Sequence, residues 1–295
     1  MSDKKNNNLL LDTYVVIELI GSGSFGEVYM ARSKKTTDLV AMKIEDKKKG
    51  SRIQYEYKIY KRLQKYEIDV VPKVYDFIQT PTFNIMCMDL LGPCLDDLFV
   101  KQNKLFSLGT VLKLGFTIVD VIRQIHDANF IHRDIKPNNF LVGRDDDASS
   151  VYIMDFGLSK KYKDSKGTHM KFREGRSLIG TARYASINMH LGIEPSRRDD
   201  LESIGYMLIY LAKGSLPWQG LKKKKNQNQI EIIGEVKLAT SLNKLCGNLP
   251  DCFTDYLIYC RNLKFDEDPD YDHLKTLFFD TYRKLGIKND YDWIS

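Results

Sequence analysis

Ile131-His132-Arg133-Asp134-Ile135-Lys136-Pro137-Asn138-Asn139, with Asp155-Phe156-Gly157 beyond it, carries the decisive signal of this sequence. The side chains in these two segments are those that moving a phosphoryl group requires. One carboxylate orients the attacking hydroxyl, oxygen ligands hold a hard divalent cation, and positive charge meets the phosphate. On that reading Asp134 orients the hydroxyl and takes its proton, Asn139 and Asp155 ligate Mg2+, and Lys136 meets the γ-phosphoryl. His132 reads as a hydrogen-bonded structural imidazole, because Asp134 already has the base role.

Outward toward the N-terminus, Gly21-Ser22-Gly23-Ser24-Phe25-Gly26 is a G-x-G-x-x-G set followed by Val28. A dinucleotide-binding turn of that pattern needs a strand, a turn and then a helix, whereas GEVYMAR continues as a strand, so a hairpin lid fits better. Glycines there let backbone N–H groups reach phosphate oxygens without a Cβ in the way. Val40-Ala41-Met42-Lys43 then sets one lysine in an otherwise apolar strand. An ammonium at that place would bind the α- and β-phosphates of a nucleotide, and it needs a carboxylate to hold it. Glu56, in QYEYKIYKRL, is the first choice, with Glu45 and Glu67 as the others. Singly, the glycines read as a flexible turn, Lys43 as a solvated edge residue and Glu56 as a surface helix residue. In order, and together with both polar segments, they read as one nucleotide-handling constellation.

The runs YVVIEL, GEVYMAR, LVAMKIE, VYDFIQ and FNIMCM, broken by a helix-like stretch around Ile53 to Leu63, predict a small antiparallel sheet carrying one helix. After Gly92-Pro93 the pattern turns helical. Leu108 to His126 has apolar residues near a 3.6-residue period, and further helices are predicted around Arg198 to Ala212, Thr254 to Cys260 and Asp272 to Lys284. Asn139 to Val142 and Val151 to Met154 flank GRDDDASS as a hairpin, KKKKNQNQ at Lys222 to Gln229 is low in complexity, and residues 1–8 read as a frayed terminus. The expected fold class is α+β, and 295 residues suit two domains or one domain in two lobes.

The net charge of +6 allows anionic partners but does not mark a nucleic-acid binder. The five cysteines, Cys87, Cys94, Cys246, Cys252 and Cys260, are odd in number and contain no C-x-x-C pair, so neither a disulfide framework nor a zinc site is expected. No stretch approaches the roughly 18 apolar residues of a membrane span. The expected compartment is the cytoplasm, with the nucleus as a second.

These motifs make the chain resemble a eukaryotic protein kinase, and longer phrases are similar to the casein kinase 1 family. They are LLGPCLDDLF (Leu90 to Phe99), GTARYASINMHLGIEPSRRDDLESIGY (Gly180 to Tyr206), GSLPWQGL (Gly214 to Leu221) and RNLKFDEDPDY (Arg261 to Tyr271). The resemblance, from about Tyr14 to Trp293, implies one monomeric catalytic domain over 1–295. Within it, 12–89 would form a small β-rich N-lobe with one main helix, and 90–295 a larger, mainly helical C-lobe. It implies ATP and Mg2+ as cofactors and Ser/Thr hydroxyls as acceptors. Met88 would be the gatekeeper, with the Asp89 carbonyl and Leu91 N–H as hinge partners of adenine. Ile20, Val28, Ala41, Leu141 and Met154 would be the apolar walls. Thr181 would bond the catalytic Asp and Lys, and Asp200 would support the catalytic loop. Two departures stand out: the family's hinge glutamate is Asp89 here, and the A-P-E of general kinases is Ser186-Ile187-Asn188. Without that glutamate, something other than the common ion pair must close the loop.

Between Lys160 and Arg183 stand Lys160, Lys161, Lys163, Lys166, Lys171, Arg173, Arg176 and Arg183, against Asp164 and Glu174. Such a basic loop would attract acidic or phosphoprimed protein substrates, as the family resemblance also implies. Arg176 and Arg183 match the family's anion-site positions, its further lysine falls at Gln229, and Lys223 and Lys224 are the expected substitutes. The alternative is a pseudokinase scaffold that binds nucleotide or partners. Retention of Lys43, Asp134, Asn139 and Asp155 together argues against it.

Overall fold

The strand-like runs at the start of the chain pair as β1 (Tyr14–Gly23), β2 (Gly26–Ser33), β3 (Leu39–Asp46), β4 (Val74–Gln79) and β5 (Phe83–Asp89), with helix α1 (Ile53–Lys65) between β3 and β4. In this computed structural model, which describes residues 12–23, 26–49, 52–221, 228–288 and 290–294, all the strand pairs are antiparallel and the order is β1-β2-β3-β5-β4. Of the three inner strands, β3 and β5 are buried along most of their length, which is why LVAMKIE and FNIMCM are almost continuously apolar. Ala31, Val40, Met42, Ile44, Ile85 and Cys87 form the core of one face. Helix α1 buries Ile53, Glu56, Ile59, Tyr60 and Leu63, a stripe at helical spacing that contains one carboxylate.

The chain divides into two units, one made of Met1–Gly92 with Met154–Gly157 and the other of Pro93–Ile153 with Leu158–Ser295. Asp155-Phe156-Gly157 therefore groups with the sheet and not with its neighbours in sequence. The second unit holds α2 (Leu95–Lys101), α3 (Leu108–Asp127), β6 (Phe130–Ile131), β7 (Phe140–Val142), β8 (Val151–Ile153), β9 (Lys160–Lys161), α4 (Ile187–His190), α5 (Arg197–Lys213), α6 (Gln229–Ala239), α7 (Leu242–Cys246), α8 (Asp251–Asn262) and α9 (Tyr271–Lys284). Here β7 and β8 form the predicted hairpin and β6 pairs with β9. Helix α5 is its axis, buried from Leu201 to Leu211 on all sides. Glycine permits two close approaches: a Cβ on Gly115 of α3 would lie 2.6 Å from the Phe278 ring of α9, and one on Gly205 of α5 would lie 2.6 Å from Leu257 of α8.

The architecture is the expected α+β class, a sheet-rich first part and a helical second part. Helices α2, α4, α6 and α7 lie where the apolar period predicts none. Three of them are too short to show a period, and α6 begins at Gln229, the last residue of the KKKKNQNQ run, of which 222–227 lie outside the described residues. The N-terminal residues 1–8 also lie outside them.

Candidate active site

In the first unit, Gly21, Ser22 and Gly23 end β1 and Gly26 opens β2, with Gly23 opposite Gly26, Ser22 opposite Glu27 and Gly21 opposite Val28. The glycines thus stand at the paired ends of two antiparallel strands and not before a helix, as GEVYMAR predicted; Ser24 and Phe25 lie outside the described residues. Gly26 has φ +140°, and a Cβ there would lie 2.2 Å from the Ile44 carbonyl oxygen, so only glycine fits. Ile20 is exposed and Val28 half-buried. Register puts Ala41 opposite Met88, both buried, and Lys43 opposite Val28 and Met86 on its two neighbours.

Lys43 Nζ donates to Glu56 Oε2 at 2.7 Å and to Asp155 Oδ1 at 3.3 Å. Burial works against the charge of Lys43, but the two carboxylates outweigh it and hold its pKa above the ordinary lysine value. Burial of Glu56 on α1 raises its own pKa, and Lys43 only partly offsets this. Glu45 serves another purpose: its carboxylate accepts from Arg52 N–H and Ile53 N–H at 3.2 and 3.0 Å, closing the N-terminus of α1. Glu67, at φ +57°, follows the C-terminus of that helix. Tyr60, unmarked by any sequence motif, accepts the Asp155 N–H at 3.1 Å and packs edge-on to Phe156. Asp155 itself has φ +67°, and Met154 before it is half-buried. At the end of β5, the Asp89 carboxylate accepts from Lys73 N–H at 2.7 Å and from Tyr75 Oη–H. Its side chain is therefore spent on the β4 side, and Leu91 beyond it is half-buried.

In the second unit, Asp134 is buried with both carboxylate oxygens used: Oδ1 accepts from Thr181 Oγ1 at 2.8 Å and Oδ2 from Lys136 Nζ at 2.6 Å. Asn139 Nδ2 donates to the Asp134 carbonyl at 2.8 Å, which leaves Oδ1 as the oxygen end of that amide. The loop hangs on Asp200 of α5, whose carboxylate accepts from His132 N–H (2.7 Å) and Arg133 N–H (2.8 Å) and lies 3.0 Å from His126 Nε2. Burial opposes its charge, but the His126 contact and the other donors hold its pKa below the usual aspartate value. His132 is fully buried and its Nδ1 accepts the Asp134 N–H at 3.3 Å, a structural role. Leu141 lies in β7, half-buried, opposite Tyr152.

The two arginines expected on the anion site have different partners. Arg176 Nε lies 3.2 Å from Glu194 Oε2, while Lys160 Nζ and Arg133 NH1 lie 2.8 and 3.9 Å from Glu194 Oε1. Glu194 is only 1% exposed and lies in sequence beyond the basic segment 160–183. Arg183 instead lies over the rings of Tyr184 and Tyr210. It lines a concavity of ≈ 480 Å³ together with Asp96, Asn138, Thr181, Trp218 and Gln229. Lys223 and Lys224 lie outside the described residues.

Helix α5 holds the Ser186-Ile187 segment that stands at the A-P-E position. Glu202 of α5 accepts the Ile187 N–H at 3.1 Å and lies 3.7 Å from Arg261 Nε, with Tyr206 Oη donating to it at 2.5 Å. Ser186 Oγ donates to Asp199 Oδ1 at 2.6 Å and caps α4 by accepting the Met189 N–H. The carboxylate comes from the helix and not from the loop. The sequence signal for this was Glu202 within RRDDLES, a helical glutamate with nothing to distinguish it from a surface residue.

One unit thus holds a buried lysine between two carboxylates beside a glycine hairpin, and the other a carboxylate held by a lysine and a threonine, the arrangements expected of a phosphotransferase. Residues 14–257 match the protein kinase domain, most of the chain, and the protein belongs to that family. Among the described residues, no helix is long and apolar enough to cross a membrane.

Proposed function

We propose that this protein is a serine/threonine kinase of casein kinase 1 type, transferring the γ-phosphoryl group of ATP to acidic or phosphoprimed proteins. The observation that carries the reading is Asp134, whose two oxygens are fixed by Thr181 and Lys136 so that its carboxylate is oriented before any substrate arrives. Mg-ATP, when bound, supplies the phosphoryl group and a divalent charge that neutralises the phosphates. The residues fit it: the Asn139 Oδ1 and the Asp155 carboxylate, with its side chain 24% exposed, are hard oxygen donors of the kind Mg2+ prefers.

Each residue then has a task. Lys43, kept charged by Glu56, holds the α- and β-phosphates, and the N–H groups of the glycine hairpin cover them. Asp134 orients a Ser or Thr hydroxyl and accepts its proton as the new P–O bond forms and the bond from the γ-phosphorus to the bridging oxygen breaks, with ADP as the leaving group. Lys136 is held at the same carboxylate and offers its charge to the γ-phosphoryl. A nucleotide-binding scaffold has no need of Asp134 pinned at both oxygens, so the pseudokinase reading is not favoured. The casein kinase 1 assignment rests on the phrases from Leu90 to Tyr271, and the preference for acidic or primed substrates on Arg183, with Gln229 on the same concavity.

The test is a peptide set offered with Mg-[γ-32P]ATP, containing serine, threonine or tyrosine, with and without a phosphoserine upstream. Label on serine and threonine, stronger on the primed peptides, is the expected result. Label confined to tyrosine, or no dependence on the upstream charge, would overturn this reading.

A further inference from the structure

Lys237, in α6, is 0% exposed. Its Nζ donates to the carbonyl oxygen of Ala182 at 2.9 Å and to that of Ala185, and it lies 4.9 Å from the ring centroid of Tyr206 and 5.0 Å from that of Trp218. Among the described residues, no carboxylate stands within ion-pair distance of it. An ammonium buried without a paired carboxylate is costly, and a leucine or methionine would fill such a place more cheaply. Two carbonyls and two aromatic faces replace the missing counterion. Burial pushes its pKa down to about 7, with Glu202 acting in the other direction.

The two carbonyls belong to one turn. Thr181 O accepts the N–H groups of Tyr184 and Ala185 at 3.0 and 3.1 Å, so residues 181–185 fold back on themselves and Ala182 and Ala185 offer their oxygens to the same Nζ. Trp218 Nε1, beside Lys237, donates to the carbonyl between them, that of Arg183, at 2.7 Å. The first residue of the turn, Thr181, bonds the catalytic carboxylate. The fourth, Tyr184, carries the ring beneath the Arg183 guanidinium.

We propose that Lys237 is a positioning residue for phosphoryl transfer: by clamping the Ala182 and Ala185 carbonyls it fixes the turn that holds Thr181 against Asp134 and presents Arg183 to the protein substrate. The proposal rests on the kinase reading above. Its physical content is that Lys237 touches neither nucleotide nor hydroxyl, yet sets where Asp134 is held. Removing it loosens the Thr181 to Asp134 bond, which lowers kcat and weakens protein-substrate binding. Lys237 contacts none of Lys43, Glu56, Lys136 and Asn139, to which the proposed function gives the nucleotide and its metal, so the KM for ATP should change little.

The experiment compares wild type, Lys237→Met, Lys237→Arg, Thr181→Val and the Lys237→Met/Thr181→Val double variant. It measures kcat, the KM for ATP, the KM for a serine peptide and thermal unfolding. Lys237→Met should lower kcat about tenfold or more, with the KM for ATP changed less than about twofold, and Lys237→Arg should recover most of the loss. Because Lys237 acts through Thr181, the double variant should be within about twofold of Thr181→Val alone. Losses that multiply in the double variant, or an unimpaired Lys237→Met, would overturn the proposal. Unfolding of both Lys237 variants would also overturn it, since Lys237 would then be a residue of stability. A wild-type protein that binds Mg-ATP and labels no peptide would instead contradict the kinase reading on which the proposal stands.

Discussion

Asp155 sits at φ +67°, in the left-handed region that aspartate and asparagine enter more readily than most residues. Asp155→Asn therefore keeps the backbone, the Tyr60 bond to its N–H and the packing of Phe156, and removes only the charge that faces Lys43 and would hold Mg2+. Transfer should fall by at least about a hundredfold, the effect of several kcal/mol at a metal ligand, with the melting temperature little changed. Turnover at the wild-type level in Mg2+ would remove Asp155 from the metal. Arg183 and Arg176 separate in the same way. Arg183→Ala should lower kcat/KM on a phosphoprimed peptide by about tenfold, since a charge-assisted hydrogen bond contributes roughly 1.5 to 3 kcal/mol. Its effect on an unprimed neutral peptide should be much smaller. Arg176→Ala should show far less of this selectivity, because its guanidinium already faces Glu194. Kinetics on the paired peptides decide both, and equal losses on the two peptides for Arg183→Ala would return the basic run to a solvated face.

At the scale of the element, the short helix α4 carries His190, whose Nε2 lies 3.2 Å from the Ala182 carbonyl oxygen. Burial, and then the charge of Lys237, push its pKa from 6.5 down to about 4. The unfolded chain takes up this proton below about pH 6.5, while the folded one resists until about pH 4, so acid favours unfolding across that window. The stability that neutral His190 gives is present above about pH 6.5 and lost as the pH falls toward 4. The stability of wild type relative to His190→Gln in thermal unfolding should therefore fall as the pH is lowered from about 6.5 toward 4; a difference that stays constant would contradict the shift.

What the sequence made legible at this scale follows from where the information sits. Strands of the sheet alternate or run apolar within one segment, so LVAMKIE shows its inner position by itself, and α3 shows its period over twenty residues. The loop proposed to be catalytic is legible because Asp134, Lys136 and Asn139 are close in sequence. Tyr60, Glu194, Glu202 and Lys237 were not legible, because each acts on a backbone group or charge far along the chain and looks, in its own helix or loop, like an ordinary residue. Lys237 in particular stands in IIGEVKLA, where a lysine normally reads as solvated.

Over the whole molecule, the Lys43–Glu56 pair and the Asp134–Thr181 pair belong to different units, and each is already ordered within its own unit. Arg133 is held as well: its Nε donates to the Leu158 carbonyl at 2.7 Å and its guanidinium, with Lys160 and Arg176, gathers on the buried Glu194. This internal carboxylate does for the loop what an added phosphate would do by charge alone. The protein should then be active without phosphorylation between Asp155 and Asn188. Activity measured after phosphatase treatment and removal of the phosphatase should equal that of the untreated protein; activity that vanishes and returns only on rephosphorylation would refute this.

The most direct measurement is transfer of the γ-phosphoryl group from Mg-[γ-32P]ATP to casein by wild type and by Asp134→Asn, read as label on serine and threonine alongside nucleotide binding by both proteins. The account predicts label with wild type, and a loss of at least about a hundredfold in Asp134→Asn with nucleotide binding retained. A wild-type protein that binds Mg-ATP and transfers nothing, or an Asp134→Asn variant that transfers as well as wild type, would contradict it.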